Sequence, residues 1–129
     1  MNKKIKQPLE DINILDLTRV LAGPTSTQIL GDLGANIIKI ERPLSGDDSR
    51  NLGPPYLDKN LKKPMESSYF LSVNRNKNSV ELDFTKKEGQ ELAKKLILKL
   101  YIVQLQGLDK MVHIQKEEVT TIWYRQWGV

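Results

Sequence analysis

Three short segments carry residue types and spacings suited to holding a phosphorylated nucleotide. The first, residues 18–24 (TRVLAGP), stands where a helix is expected to begin, and the free amides and dipole of a helix N-terminus attract anions. The second is Arg42, just past an apolar, β-leaning stretch. Dinucleotide-binding folds place an acidic side chain near this point for a ribose hydroxyl, or an arginine for a ribose phosphate. A guanidinium can grip phosphate through two donors. The third, residues 74–77 (NRNK), could bring Arg75 and Lys77 near phosphates. Each segment also has a plainer reading: a strand-to-helix turn, a solvated arginine paired with Glu41 or Asp47, and a polar turn. The residues alone leave both sets open. Asp16, Asp47 and Asp48 have no visible acid–base partner and are read as structural or solvated rather than nucleophilic. Neither GxGxxG nor a GxxxxGK followed by Ser or Thr occurs, so NAD binding has little support and a P-loop is excluded.

The elements that must position these residues follow from periodicity. Residues 12–17 and 36–40 are apolar and β-leaning, and each is expected to be a strand. Between them Gly23-Pro24 opens a helix, because proline is tolerated in its first turn, and Gly34 ends it as a left-handed cap. A helix joining two buried strands over so few residues implies a right-handed βαβ crossover and a parallel sheet. Residues 43–66, rich in Ser, Gly, Asp and Pro, read as a long loop. Residues 67–73 are apolar, and residues 80–84 alternate as a strand does. Thr85 and Glu88 then match a capping box. Leu92, Leu96 and Leu100, with Ala93 and Ile97, form one buried helical face, so a second βα unit ends near Leu100.

Composition narrows the function classes. No run approaches the roughly 20 consecutive apolar residues of a membrane span. With no cysteine and one histidine, His113, neither disulfides nor a zinc cluster can form, and no metal site is expected. A net charge of +4 suits polyanionic ligands but is too small and scattered to argue for nucleic acid. A slightly basic surface explains it equally well.

Four segments in order, LDLTRVLAGP (15–24), LGANIIKIERP (33–43), GDDSRNLGPP (46–55) and NRNKNSVELDF (74–84), resemble the family III CoA-transferases. The third and fourth look most like the glutarate transferase branch, with the family's 2-methylacyl-CoA racemases second. The resemblance implies an α/β fold, the N-terminal part of a Rossmann-like parallel-sheet CoA-binding domain, incomplete here. It implies CoA or acyl-CoA as substrate with no prosthetic group, and a small carboxylic acid as the second partner. Transfer would run from succinyl-CoA to glutarate or a similar dicarboxylate through an aspartate nucleophile, a mixed anhydride and an enzyme thioester. CoA would meet Arg19, Val20, Leu21 and Ala22, with Leu21 and Ala22 toward its pantetheine or adenine end. Arg42 would meet the 3′-phosphate, and Leu82, Asp83, Phe84 and Thr85 would line the adenine pocket. A core strand with a cap is the plainer reading of those last four. The family forms interlocked homodimers completed by the far end of the chain, and a fragment of this length is not expected to form one. A mitochondrial location follows from the resemblance, with the cytoplasm as the alternative. Residues 1–7 (MNKKIKQ) show no secretory signal or clear transit peptide, and the terminal WGV is no peroxisomal tripeptide.

The chain is therefore divided into a family portion, residues 1–100, and a non-family tail, residues 101–129. The tail shows no clear period, and its codons suggest why. Read one base upstream, they permit YCSITGFGQDGPYSKRGGYDNMVSAMGG, which is similar to the family's GYGQxGPxxxxxGYD segment around its catalytic aspartate. The tail is accordingly read as out of frame and disordered, the product of exon skipping or of a gene-model error. The aspartate codon would straddle Thr120 and Thr121, which leaves no catalytic residue in this chain. A non-catalytic, truncated CoA-binding fragment is the rival to an active enzyme.

Overall fold

The computed structural model describes residues 6–57, 65–97, 101–104 and 113–115, the last two segments by backbone apart from Tyr101. Strand β1 (Asn13–Asp16) leads into helix α1 (Ala22–Asp32), which returns the chain to β2 (Asn36–Glu41) parallel to β1. Pro24 sits in the first turn of α1, whose amides have no partner within the helix, so its missing N–H costs nothing there. At the other end Gly34 has φ +104°; its N–H reaches the Gly31 carbonyl, and the Ala35 N–H reaches that of Leu30. That pair of bonds is the Schellman arrangement the left-handed glycine allows.

A 3₁₀ turn (Asp48–Asn51) interrupts the long connection after β2, and α2 (Ser68–Val73) follows, capped by Ser67, whose Oγ accepts from the Phe70 amide. Strand β3 (Lys77–Glu81) pairs parallel with β2, and α3 (Lys87–Ile97) leads to β4 (Tyr101–Gln104), parallel to β1 on its other side. Strand β5 (His113–Gln115) runs antiparallel to β4. The sheet order is β3-β2-β1-β4-β5, the doubly wound α/β pattern with α1 and α3 on opposite faces.

Several expectations need correction. Strand β3 lies earlier than residues 80–84, because Lys77 and Ser79 are polar yet point to the covered face, while Leu82 and Phe84 leave the strand end for the core. The Thr85 capping box is not made: its hydroxyl and amide both donate to Asp83 Oδ1, at 2.6 and 3.0 Å. Asp83 takes both Thr85 donors in a local Asx turn, and that turn sets how the chain enters α3. The buried face of α3 is Gly89, Ala93 and Ile97, with Leu96 half-buried and Leu92 exposed. Gly89 sets that face, since a Cβ there would lie 1.9 Å from the Asp83 carbonyl oxygen. Leu100 lies outside the described residues. The chain after it does contribute strands at Tyr101–Gln104 and His113–Gln115, where the tail was expected to be disordered. Tyr-Ile-Val is a β-forming run, and β1 offers it an open edge. Residues 105–112 and 116–129 lie outside the description.

The faces of the sheet differ. Toward α3, Leu15, Leu17, Ile40, Leu82 and Phe84 pack with Ala93 and Ile97. Toward α1, Ile14 and Ile37 pack with Ala35 at the amino end only. Beyond them the same face carries Asp16, Lys39 and Glu41, and α1 covers it with Gly23, Pro24, Thr27 and Gln28.

Candidate anion site at the carboxyl edge of the sheet

Helix α1 leaves β1 on one face and α3 reaches β4 on the other, so the carboxyl ends of β1 and β4 form a topological switch point. Ligands of open α/β sheets bind in the crevice outside the carboxyl ends of the strands at such a point. Residues 18–21 form the loop there, and Leu21 offers no side-chain cap to the first turn of α1. Val20 has φ +69°, a left-handed conformation that is rare for a β-branched residue and costs of order 1–3 kcal/mol. Arg19 pairs with Asp48 Oδ2 and Arg42 with Asp48 Oδ1 at 3.4 Å, so one half-exposed carboxylate joins the two guanidiniums at this edge. Val20, Leu21 and Ala22 are exposed beside them.

The other expected residues divide. Leu82 and Phe84 have their side chains in the core, and Asp83 and Thr85 form the turn before α3. Residues 74–77 are not part of this edge. They lie at the amino end of β3, which is paired with the start of β2. Arg75 and Asn76 bind Asp32 there. Lys77 turns inward to Asp16 at 3.1 Å, the Pro24 carbonyl and Asn74. The plainer reading of that segment, a polar turn, is the one its contacts support.

Beneath the edge lies a buried chain of charges that inspection of the sequence missed. Asp16 accepts from the Thr18 amide (2.9 Å), the hydroxyls of Thr18 and Thr27, and Lys77. Lys39 donates to the Thr18 carbonyl and lies 2.8 Å from Asp47 Oδ2, both side chains being 1% exposed. That second contact is held by charge more than by hydrogen-bond alignment. Asp47 Oδ1 accepts from the Val20 amide (3.2 Å) and from the amide and hydroxyl of Ser49. Glu41 accepts the Asp47 amide, the Ser79 hydroxyl and two bonds from Arg50, whose guanidinium lies 3.6 Å from the Phe70 ring centroid. The signal available in the sequence was NIIKIE, where Lys39 and Glu41 continue the face begun by Ile37. Charges on an inward face of an otherwise apolar strand must be paired.

Burial alone would raise the Glu41 and Asp47 carboxyls. Arg50, Ser79 and the Asp47 amide outweigh it at Glu41, and Lys39 and Ser49 outweigh it at Asp47, so both lie below their ordinary values. For Lys77 burial wins over the attraction of Asp16, and its ammonium is pulled down to about 8. Asp16 and Asp47 are buried structural carboxylates, each held by hydrogen bonds and one lysine, as their sequence reading has it. Among the described residues no His, Asp and Glu cluster could hold a metal, and no helix is long and apolar enough to cross a membrane.

The fold is a doubly wound α/β sheet whose carboxyl edge carries cationic side chains and a helix N-terminus, the place where open α/β sheets receive ligands. The sequence profile of CoA-transferase family III matches residues 9–103, and the chain belongs to that family. It is 53% identical over 90 residues to the succinyl-CoA:glutarate CoA-transferase of Mus musculus, covering 70% of this chain and 19% of that protein. It is 41% identical over 95 residues to the succinyl-CoA:mesaconate CoA-transferase of Haloarcula hispanica, covering 74% and 23%. Among solved structures it resembles a CaiB/BaiF family protein from Brucella suis, with TM-score 0.66 and 41% identity over 73% of this chain and 24% of that one. The chain therefore spans about a fifth of the length of the curated relatives it matches.

Proposed function

We propose that this chain is the amino-terminal, CoA-facing part of an enzyme that moves CoA between carboxylic acids, from succinyl-CoA to glutarate or a similar dicarboxylate. The observation that carries this reading is that Arg19, Arg42 and the α1 N-terminus lie together at the carboxyl ends of β1 and β2, beside the β1/β4 switch point, in a chain of this family. Arg42 takes the 3′-phosphate of CoA, and Arg19, Val20, Leu21 and Ala22 border its pantetheine or adenine end. Asp83 and Thr85 rim the adenine, with Leu82 and Phe84 as the buried wall behind them. The names of the similar transferases support the dicarboxylate class of substrate. Mitochondrial residence rests on the family resemblance and is tested by fractionation.

The residues described here bind and orient; none supplies the nucleophile in this reading. Residues 101–129 are proposed to be an out-of-frame rendering of the catalytic segment, a reading that genomic sequence across the codons of residues 96–102 would test. An intron boundary there, with the catalytic frame intact, supports it. The isolated chain is then expected to produce no glutaryl-CoA from succinyl-CoA and glutarate by mass spectrometry, and turnover above a no-protein control would refute this. Calorimetry with CoA and dephospho-CoA tests the binding half. Arg42→Ala should weaken CoA roughly tenfold to a hundredfold and dephospho-CoA much less. Equal binding of both ligands to both proteins would reject the assignment.

A further inference from the structure

The loop at the candidate site is held by the charges buried beneath it, one peptide group at a time. The peptide joining residues 17 and 18 gives its N–H to Asp16. The next gives its carbonyl, that of Thr18, to Lys39 Nζ at 2.8 Å. The next gives its N–H, that of Val20, to Asp47 Oδ1 at 3.2 Å. Both peptides flanking Arg19 are therefore pinned from inside by the two members of one buried ion pair. The residue immediately after that pinned stretch is the left-handed Val20.

Stability does not account for a pair of this kind. Desolvating two charges consumes most of what their attraction returns, and apolar replacements of similar size often leave a fold as stable or more so. Strained backbone persists only where its surroundings over-determine it. Lys39 and Asp47 meet that description, since each holds the other and each also holds a loop peptide. Glu41, through the Asp47 amide, fixes the second half of the clamp, and Arg50 fixes Glu41.

We infer that Lys39 and Asp47 are positioning residues that lock the β1–α1 loop, with Val20 left-handed, in the conformation presented to a phosphate-bearing ligand. The inference rests on the CoA reading of this edge. With the clamp in place, the ligand meets a loop already in its binding conformation. Without it, Val20 relaxes to negative φ, and the bound conformation must be regained at each encounter. Apparent affinity then falls by the fraction of molecules still competent, a loss of roughly tenfold to a hundredfold.

The test compares the full chain with the paired variant Lys39→Met/Asp47→Leu, which removes the clamp without stranding a charge. A second variant, Lys39→Met/Asp47→Asn, also strands no charge but retains an acceptor for Val20 and Ser49. Two quantities are read: the conformation of Val20, from its NMR carbon shifts and HN–Hα coupling, and CoA affinity by calorimetry. The expected result is a folded paired variant with Val20 at negative φ and CoA binding weakened at least roughly tenfold. Lys39→Met/Asp47→Asn should keep Val20 left-handed and lose less affinity. Val20 remaining left-handed in the paired variant would overturn the clamp, as would a switched Val20 with unchanged CoA affinity. Should the paired variant fail to fold, Lys39→Met/Asp47→Asn decides alone: having lost the Lys39 bond to the Thr18 carbonyl, it supports the inference by binding CoA measurably more weakly than the parent and overturns it by binding equally well. A parent chain that binds no CoA would instead sink the CoA reading of the edge, and the clamp would then stand or fall on Val20 alone.

Discussion

The two faces of the sheet are made from alternate residues of the same strands, yet they are held by different forces. Toward α3, Leu15, Leu17 and Ile40 meet Ala93 and Ile97 in ordinary hydrocarbon packing. Toward α1, Asp16, Lys39 and Glu41 meet Lys77, Asp47 and Arg50, all nearly out of contact with water. The apolar face supplies stability that depends on volume filled. The charged face returns little net stability, and what it provides is direction: each of its groups ends on a particular backbone amide, carbonyl or side chain. That face lies directly below the loop that carries Arg19. The lesson is a division of labour across a single sheet, with one side holding the fold and the other aiming the site.

Single substitutions should break this contrast most sharply. Asp47→Ala strands the Lys39 ammonium in the interior and removes the Val20 and Ser49 acceptor, so it is expected to cost about 3–5 kcal/mol in urea unfolding. A loss below about 1 kcal/mol would mean that water reaches Lys39 and that the face is not dry. On the opposite side Leu15→Ala should cost about 2–5 kcal/mol, through lost transfer energy and an unfilled cavity. The distinction appears on full replacement: an apolar pair at Lys39 and Asp47 should cost less than Asp47→Ala, because it strands no charge and loses only the bonds to Thr18, Val20 and Ser49, whereas a polar pair in the packing around Leu15 should cost more than Leu15→Ala.

The pH dependence sharpens the comparison, because only the charged face titrates. Glu41 and Asp47 lie below their ordinary values of 4.5 and 3.8 in the folded state, so their contribution is complete above those values. It is lost as pH falls through the lower folded values, where the unfolded chain takes up protons first. Unfolding free energy should therefore hold from pH 7 to about 5 and decline below about 4, and Glu41→Gln should flatten that decline. At the alkaline end Lys77 releases its proton near 8 when folded and near 10.5 when unfolded. The unfolded chain binds the extra proton in that interval, so this group makes stability rise with pH across it. An NMR titration of the Lys77 ε-methylene should show a midpoint near 8, and one near 10.5 would show a solvated ammonium.

The smallest effect is expected at the amino edge, where Asp32 pairs with Arg75 in the open. Asp32→Asn should leave the urea midpoint nearly unchanged, and salt should remove whatever difference remains. A larger cost would show that the 74–77 turn is more than a surface connection.

Much of this protein was readable from the residues in order. Gly34 as a left-handed cap, the βαβ crossover and the parallel sheet followed from local chemistry, because period, cap and turn depend on neighbours a few positions apart. The placing of Arg42 and the 18–24 loop at one end of that unit followed from its direction. Family membership was likewise carried by four segments in order. What the order of residues did not determine was partnership across the fold. Lys39 finds Asp47 and Thr18, Lys77 finds Asp16, and Glu41 finds Arg50, over separations that no local period records. The polar stretch NRNK divided for the same reason, Arg75 outward to Asp32 and Lys77 inward beneath α1. Strand β4 formed beside β1 because an open parallel edge accepts a short β-forming run. Local propensity sets which element a segment becomes; burial, which exists only once the sheet is covered, decides which charges must find one another.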